Sequence, residues 1–306
     1  MAVHNTELVE QIKELILVAL ASEDELMELL VLKGGNAIDL HNERHLGHLS
    51  RTSFDLDFSI ASGDFDDWHE IEARMKKTLQ DTFFGKDLVL VDFVFVPKPK
   101  NESKNSEMPE FWGGYKATFK VIEKKEFDLH QGDLVKIRRN AVVLRKNQST
   151  VFELEFSKFE YVDGKQAILI DGFPLYIYTP VMIVLEKVRA LCQQLPEYST
   201  VVPGFMARQR AKDYYDIWLL MQTHPFNPAD AVNKETLIRI FAAKGVPMSY
   251  IKELRTNARF HRDNWNQVEN TVEASEKLKG FDFYVNFVTD IFEPLTFPSD
   301  STASTP

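Results

Sequence analysis

The chain is poor in cysteine: of 306 residues only Cys192 is one, so no internal disulfide can form. It follows Leu191 in a helix-like segment, where packing is its expected role and a reducing compartment fits. Long apolar runs are missing too. No stretch approaches the roughly 20 residues that cross a bilayer, and the opening holds only a short apolar run, 15–20, with acidic residues before and after it. That opening reads as an amphipathic helix, neither signal peptide nor anchor; no membrane partner and a cytoplasmic location are expected. Positive charge is also scarce, since 36 Lys and Arg face 46 Asp and Glu for a formal net charge of -10. This argues against a broad basic surface that grips duplex nucleic acid, but not against a local basic cleft. A hydrophobic fraction of 44% allows a substantial core.

Apolar spacing predicts helix over 6–32, an interruption at 33–36, a second helix opening at 37–40 and a polar, histidine-rich loop at 41–48. Strict alternation at 53–60 predicts a half-buried strand. A helix is expected at 68–83, strands at 87–96, 115–122, 141–145 and 150–156, and a surface connection at 97–109. From about 179 the pattern turns helical, with Val181, Val184, Leu185, Val188, Leu191 and Leu195 on one stripe and further helices at 233–243, 250–257 and 268–292. The expected class is α+β. A mixed or antiparallel sheet with amino-terminal helices is expected over 1–175, a helical domain over 176–297 and a flexible tail at 298–306.

Asp55 and Asp57 stand two apart in an alternating strand, so their carboxylates leave on one face while Phe54, Leu56 and Phe58 point to the core. Such a pair repels itself unless a cation compensates, and oxygen-rich Mg²⁺ coordination does so. Gly34 and Gly35, ahead of a helix, can bring backbone N–H groups close to a phosphate. Arg51 and Ser53 lie beside the acids and offer further donors. This is not a P-loop, because no Gly-Lys-Ser or Gly-Lys-Thr follows a suitably spaced glycine. A solvated acidic strand face and an ordinary Gly-Gly turn are the plain alternatives.

Lys-Gly-Gly-Asn-Ala-Ile-Asp-Leu (33–40) and Arg-Thr-Ser-Phe-Asp-Leu-Asp-Phe (51–58) resemble the opening motifs of the AbiE-type toxin nucleotidyltransferases, within the DNA polymerase β-like superfamily. Glu-Lys-Val-Arg-Ala-Leu (186–191) and Arg-Ala-Lys-Asp-Tyr-Tyr-Asp-Ile-Trp-Leu-Leu (210–220) match two later motifs in order, so the resemblance runs from Lys33 to Leu220. It implies a polymerase β-like core and an active site of Asp55, Asp57, a third carboxylate, Lys187 and Asp213. Glu155 falls at the matching place in an apolar-acid-apolar strand, with Asp92 as competitor. Asp55, Asp57 and Glu155 would hold Mg²⁺, or Mn²⁺ in its place; Lys187 and Arg51 would steady phosphate charge. Asp213, with Lys212 beside it and Asp216 as support, would organise the acceptor side.

The implied reaction moves a nucleoside monophosphate from an NTP to an RNA hydroxyl, the tRNA 3′ end, as the toxin of a toxin–antitoxin system with a cognate antitoxin protein. Nucleotidylation of a protein or small-molecule hydroxyl is the alternative, and a catalytically silent nucleotide sensor a third reading. Basic segments at 136–139 and 259–265 are candidate RNA contacts or solvated faces. His41, His45 and His48 lack the arrangement of a zinc site and are expected in a loop bordering the pocket.

Overall fold

The computed structural model describes residues 6–46 (side chains as far as 42), 55–99, 108–144, 149–272 and 278–297. Helix α1 (Thr6–Ala21) buries Val9, Ile12, Ile16 and Leu20, which recur at helical spacing. A short α2 (Asp24–Leu29) runs into strand β1 (Leu30–Lys33), and α3 (Gly34–Leu46) follows without a linker. Next come β2 (Leu56–Ile60) and α4 (Trp68–Phe84). Asp67 caps α4 by accepting from His69 and Glu70 N–H, and Ile71, Met75, Leu79 and Phe83 form its buried stripe. Strands β3 (Leu88–Lys98) and β4 (Gly114–Glu123) precede two short helices, α5 (Lys124–Leu129) and α6 (Leu134–Arg139). Strands β5 (Phe152–Ser157), β6 (Gln166–Ile170) and β7 (Phe173–Ile177) complete the sheet. The remainder is helical: α7 (Pro180–Cys192), α8 (Ala211–Thr223), α9 (Ala231–Ala242), α10 (Leu254–Arg262), α11 (Asn266–Glu269) and α12 (Phe281–Phe292).

The strands form one sheet in the order β3-β4-β5-β2-β1-β7-β6. β5 lies parallel to β2 and β1 parallel to β7, while the other neighbours are antiparallel. The fold is therefore α+β with a mixed sheet, as expected. Leu56, Phe58 and Ile60 of β2 and Phe152, Leu154 and Phe156 of β5 are all buried. Phe58 stacks on Phe156 with ring centroids 5.5 Å apart. Burying each such ring is worth about 1.5–3 kcal/mol. Alternation then commits Asp57, Glu153 and Glu155 to the opposite face. One cluster of buried apolar residues runs from α1 through the sheet to α12. No helix among the described residues is long and apolar enough to cross a membrane.

Four segments differ from expectation. The helix expected over 6–32 ends at Ala21, and its last part is β1. That strand lies inside the sheet with every residue buried, so it shows no alternation and periodicity cannot separate it from a helix. The loop expected at 41–48 is helical as far as Leu46. The expected strand at 141–145 is irregular buried chain through 144, anchored where Val142 N–H donates to Val121 O at 2.8 Å. The helix expected over 268–292 is divided into α11 and α12, the latter starting after Gly280.

Candidate functional site

Strand register builds the site. Lys33 of β1 lies opposite Asp57 of β2, Asp57 opposite Glu155 of β5, and Glu155 opposite Lys116 of β4. Register partners share a sheet face, so four adjacent strands present a row of charges, plus, minus, minus, plus. Asp55 enters two residues ahead of Asp57, just before β2. Lys98 of β3 reaches across to Glu155 at 2.6 Å, and Lys116 bonds Glu153 at 2.7 Å with Glu155 at 3.7 Å. Lys33 Nζ donates to Ser157 Oγ at 3.1 Å and meets Glu160 at 3.2 Å.

The two central carboxylates differ. Burial pushes the Asp57 carboxyl above the ordinary carboxylate value; Lys33 and Lys212 oppose the rise, while Glu155 and Asp55 add to it. Burial also works to raise Glu155, but the Lys98 hydrogen bond, with Lys116 and Arg208 nearby, holds it below its usual value. Asp57 is thus the acid that burial leaves easier to protonate, while cations hold Glu155.

Gly34 lies against that acid. Its φ is +69°, and a β-carbon there would stand 2.5 Å from Asp57 Oδ2. A side chain is excluded both by conformation and by the carboxylate. Gly34 is the first residue of α3, and Gly35 follows it in the first turn, so the positive end of a helix abuts Asp57. Asn36 Nδ2 donates to Asp55 O at 2.7 Å and ties helix to incoming strand.

A second cluster sits between α7 and α8. Lys187 Nζ bonds Asp213 Oδ1 and Asp216 Oδ2, each at 2.8 Å, and Arg210 pairs with the other oxygen of Asp213. All but Arg210 are almost fully buried. Burial alone would raise Asp213, yet Arg210, Lys187 and Lys212 together hold it far below the usual range. Arg210 joins the two clusters: burial disfavours its charge, but Asp213, Glu186 and Asp57 outweigh that and raise its proton affinity.

The structure therefore brings Asp57 and Glu155 into direct register, Asp55 close behind, and links them to Lys187 and Asp213 through Arg210 and Lys212. Arg51 and Ser53 lie outside the described residues, as does His48, and the side chain of His45 is not described. Asp92 stands apart, in a bulge of edge strand β3 with φ +54°, held by Arg138 at 2.8 and 2.9 Å. His41 is buried in α3, its Nε2 2.8 Å from Tyr178 O, and not in a bordering loop. Lys33 and Arg210 opened two of the motifs without a role assigned, and Lys98, Lys116 and Arg208 had no sequence signal as site residues. Only the register and the chain's return past β5 bring them in.

Among the described residues, no three His, Cys, Asp or Glu side chains stand together as a ready-made metal cage. The donor chemistry nonetheless fits Mg²⁺ arriving with a nucleotide. That ion takes one or two carboxylates, substrate phosphates and water, and an acid raised by burial, with two acids beside it, gains from such a cation.

The family described as nucleotidyl transferase AbiEii toxin, type IV toxin–antitoxin system, matches residues 15–286. No curated protein matches the sequence. Among solved structures, JHP933 from Helicobacter pylori is similar at 16% identity and a TM-score of 0.48, covering 99% of this chain and 97% of that one. A putative nucleotidyltransferase from H. pylori follows at 16% identity and 0.47, with 94% of each chain covered. An antigenic nucleotidyltransferase-like protein from Paracoccidioides brasiliensis matches at 16% identity and 0.36, over 78% of this chain and 93% of that one.

Proposed function

The chain belongs to the AbiEii nucleotidyl transferase toxins of type IV toxin–antitoxin systems, and from that premise we propose Mg²⁺-dependent transfer of a nucleoside monophosphate from an NTP to the 3′ end of tRNA. The observation that carries the reading is Gly34, whose missing β-carbon leaves the start of α3 against a carboxylate whose proton affinity burial raises. Helix start and acid together make a place for phosphate oxygens and their cation.

In this reading Asp55 and Asp57 would hold Mg²⁺, with Glu155, now on Lys98, as the third acid. The ion supplies charge neutralisation for the α-phosphate and the departing pyrophosphate. The N–H groups at Gly34 and Gly35 contact phosphate, and Arg51 and Ser53 supply further donors. Arg210 and Lys212, both electrostatically coupled to Asp57, bind the triphosphate and hold its α-phosphorus in line with the acceptor oxygen. The acceptor hydroxyl oxygen bonds to that phosphorus, the bond to the bridging oxygen of the β-phosphate breaks, and pyrophosphate leaves with its electron pair. The hydroxyl proton passes to Glu155 Oε as Lys98 turns to phosphate. Lys187 and Asp213 act through Arg210: their buried pairing fixes where its guanidinium stands.

An RNA acceptor is supported by the sign of the rim. Arg208 and Lys212 are exposed and Lys98 is partly so, a local basic edge on an acidic protein. A cognate antitoxin would restrain the activity. Purified protein, Mg²⁺, each α-labelled NTP and bulk tRNA test the proposal directly. Label should enter tRNA and vanish with Asp57→Asn. Label entering only protein, or no transfer with any NTP, overturns it.

A further inference from the structure

The segment that carries Arg208 and Arg210 is irregular chain leading into α8, whose first turn holds Lys212, and the backbone is held at four consecutive residues, 208–211. Arg208 N–H donates to Gln194 Oε1 at 2.7 Å. Asn264 Nδ2 donates to Gln209 O at 3.0 Å, and Asn264 Oδ1 accepts from Ala211 N–H at 3.1 Å. Between them, Arg210 N–H donates to His261 Nδ1 at 3.1 Å. Gln194 and His261 are buried, and the three side chains come from two distant parts of the sequence.

Helix capping alone does not account for this. Arg210 is the N-cap residue of α8 and supplies no side-chain cap, so acceptors for the N–H groups of 210 and 211 satisfy the helix start. The bonds to Arg208 N–H and Gln209 O lie outside the helix and add nothing to it. What they fix is the course of the strap just before the helix. Arg210 of this strap pairs with Asp213, which Lys187 also holds, so the strap is tied to the helical cluster of the site. The restrained backbone is therefore the one that carries Arg210 and, at the head of α8, Lys212. Burial pushes His261 down to about 4, so its ring is neutral near pH 7 and Nδ1 is open to accept.

We propose that Gln194, His261 and Asn264 are positioning residues: they clasp the strap 208–212 so that its three cations meet the triphosphate of the NTP over Asp57 and Glu155. The inference rests on the nucleotidyl-transfer reading of the same site. It also absorbs part of the basic segment 259–265, giving two of its residues an inward role instead of an RNA contact.

The test compares wild type with His261→Leu, which removes the acceptor, and His261→Asn, whose amide oxygen can stand near the place of Nδ1. Two quantities are read: affinity for inorganic triphosphate by calorimetry, and KM and kcat for each NTP in the tRNA assay. His261→Leu should weaken triphosphate binding and raise KM by about tenfold or more with kcat changed far less, and His261→Asn should restore both. Equal triphosphate affinity and KM in wild type and His261→Leu, with only the melting temperature lowered, overturns the clasp as a positioning device. If His261→Leu does not fold, Asn264→Asp, which keeps the acceptor and loses the donor to Gln209 O, is judged by the same constants. A wild type that neither binds triphosphate nor transfers nucleotide instead overturns the reading of the site beneath it.

Discussion

The sheet row and the helical cluster both gather acids and cations inside protein, with opposite results. Asp57 ends above the ordinary carboxylate range and Asp213 far below it. Asp213 has Lys187 and Arg210 in direct contact, and Lys187 also meets Asp216. Asp57 has a glycine beside it and two acids nearby, and the lysines in its row are engaged by Glu160, Glu153 and Glu155. The helical cluster is complete without a ligand and behaves as architecture. The row differs: burial outweighs the cations around Asp57 and leaves its carboxyl above the ordinary value.

That contrast can be broken or sharpened by substitution. Asp57→Asn should cut transfer by about a thousandfold or more, roughly 4 kcal/mol of barrier, without lowering the melting temperature. Lys187→Met should do the reverse first. Stranding Asp213 and Asp216 in the interior costs about 3–5 kcal/mol of stability in urea titration. If Lys187→Met kept wild-type stability, the cluster would not be architectural. Gly34→Ala places a methyl group on Asp57 Oδ2 and should reduce transfer on the order of a hundredfold, with a fold penalty of about 1–2 kcal/mol from the positive φ.

A pH series separates the helical half further. His261 is held neutral, at about 4 against an ordinary value near 6.5. Its folded value is depressed, so its contribution is present above about pH 6.5 and is lost as pH falls toward 4. Wild type should lose on the order of 2 kcal/mol more than His261→Asn across that window, read from melting at each pH. The smallest effect belongs to Lys98→Ala. The Lys98–Glu155 pair is some 40% exposed on each side, so the stability change should stay within about 1 kcal/mol.

Much of the row was legible in the sequence because strand alternation is local. Asp57 and Glu155 each sit between buried apolar neighbours, and the spacing alone sets their face. Their meeting was not legible, since β2–β5 register joins residues nearly one hundred positions apart. The same holds for Lys98 and Lys116, which read as ordinary surface lysines until β3 and β4 fold beside β5. β1 was hidden for a different reason: a strand buried on both faces has no period to detect. In the helical half, three-residue spacing foretold that Asp213 and Asp216 share a face. No local pattern announced that Lys187 would neutralise both, or that His261 and Asn264 would hold the chain before α8.

Thermal unfolding in rising MgCl₂, with an NTP analogue blocked at the α–β bond, tests the role of Asp57 most directly. Wild type should melt at higher temperature as Mg²⁺ is added, and Asp57→Asn should melt at the same temperature throughout. An Asp57→Asn protein that responds to Mg²⁺ as wild type does would contradict the account.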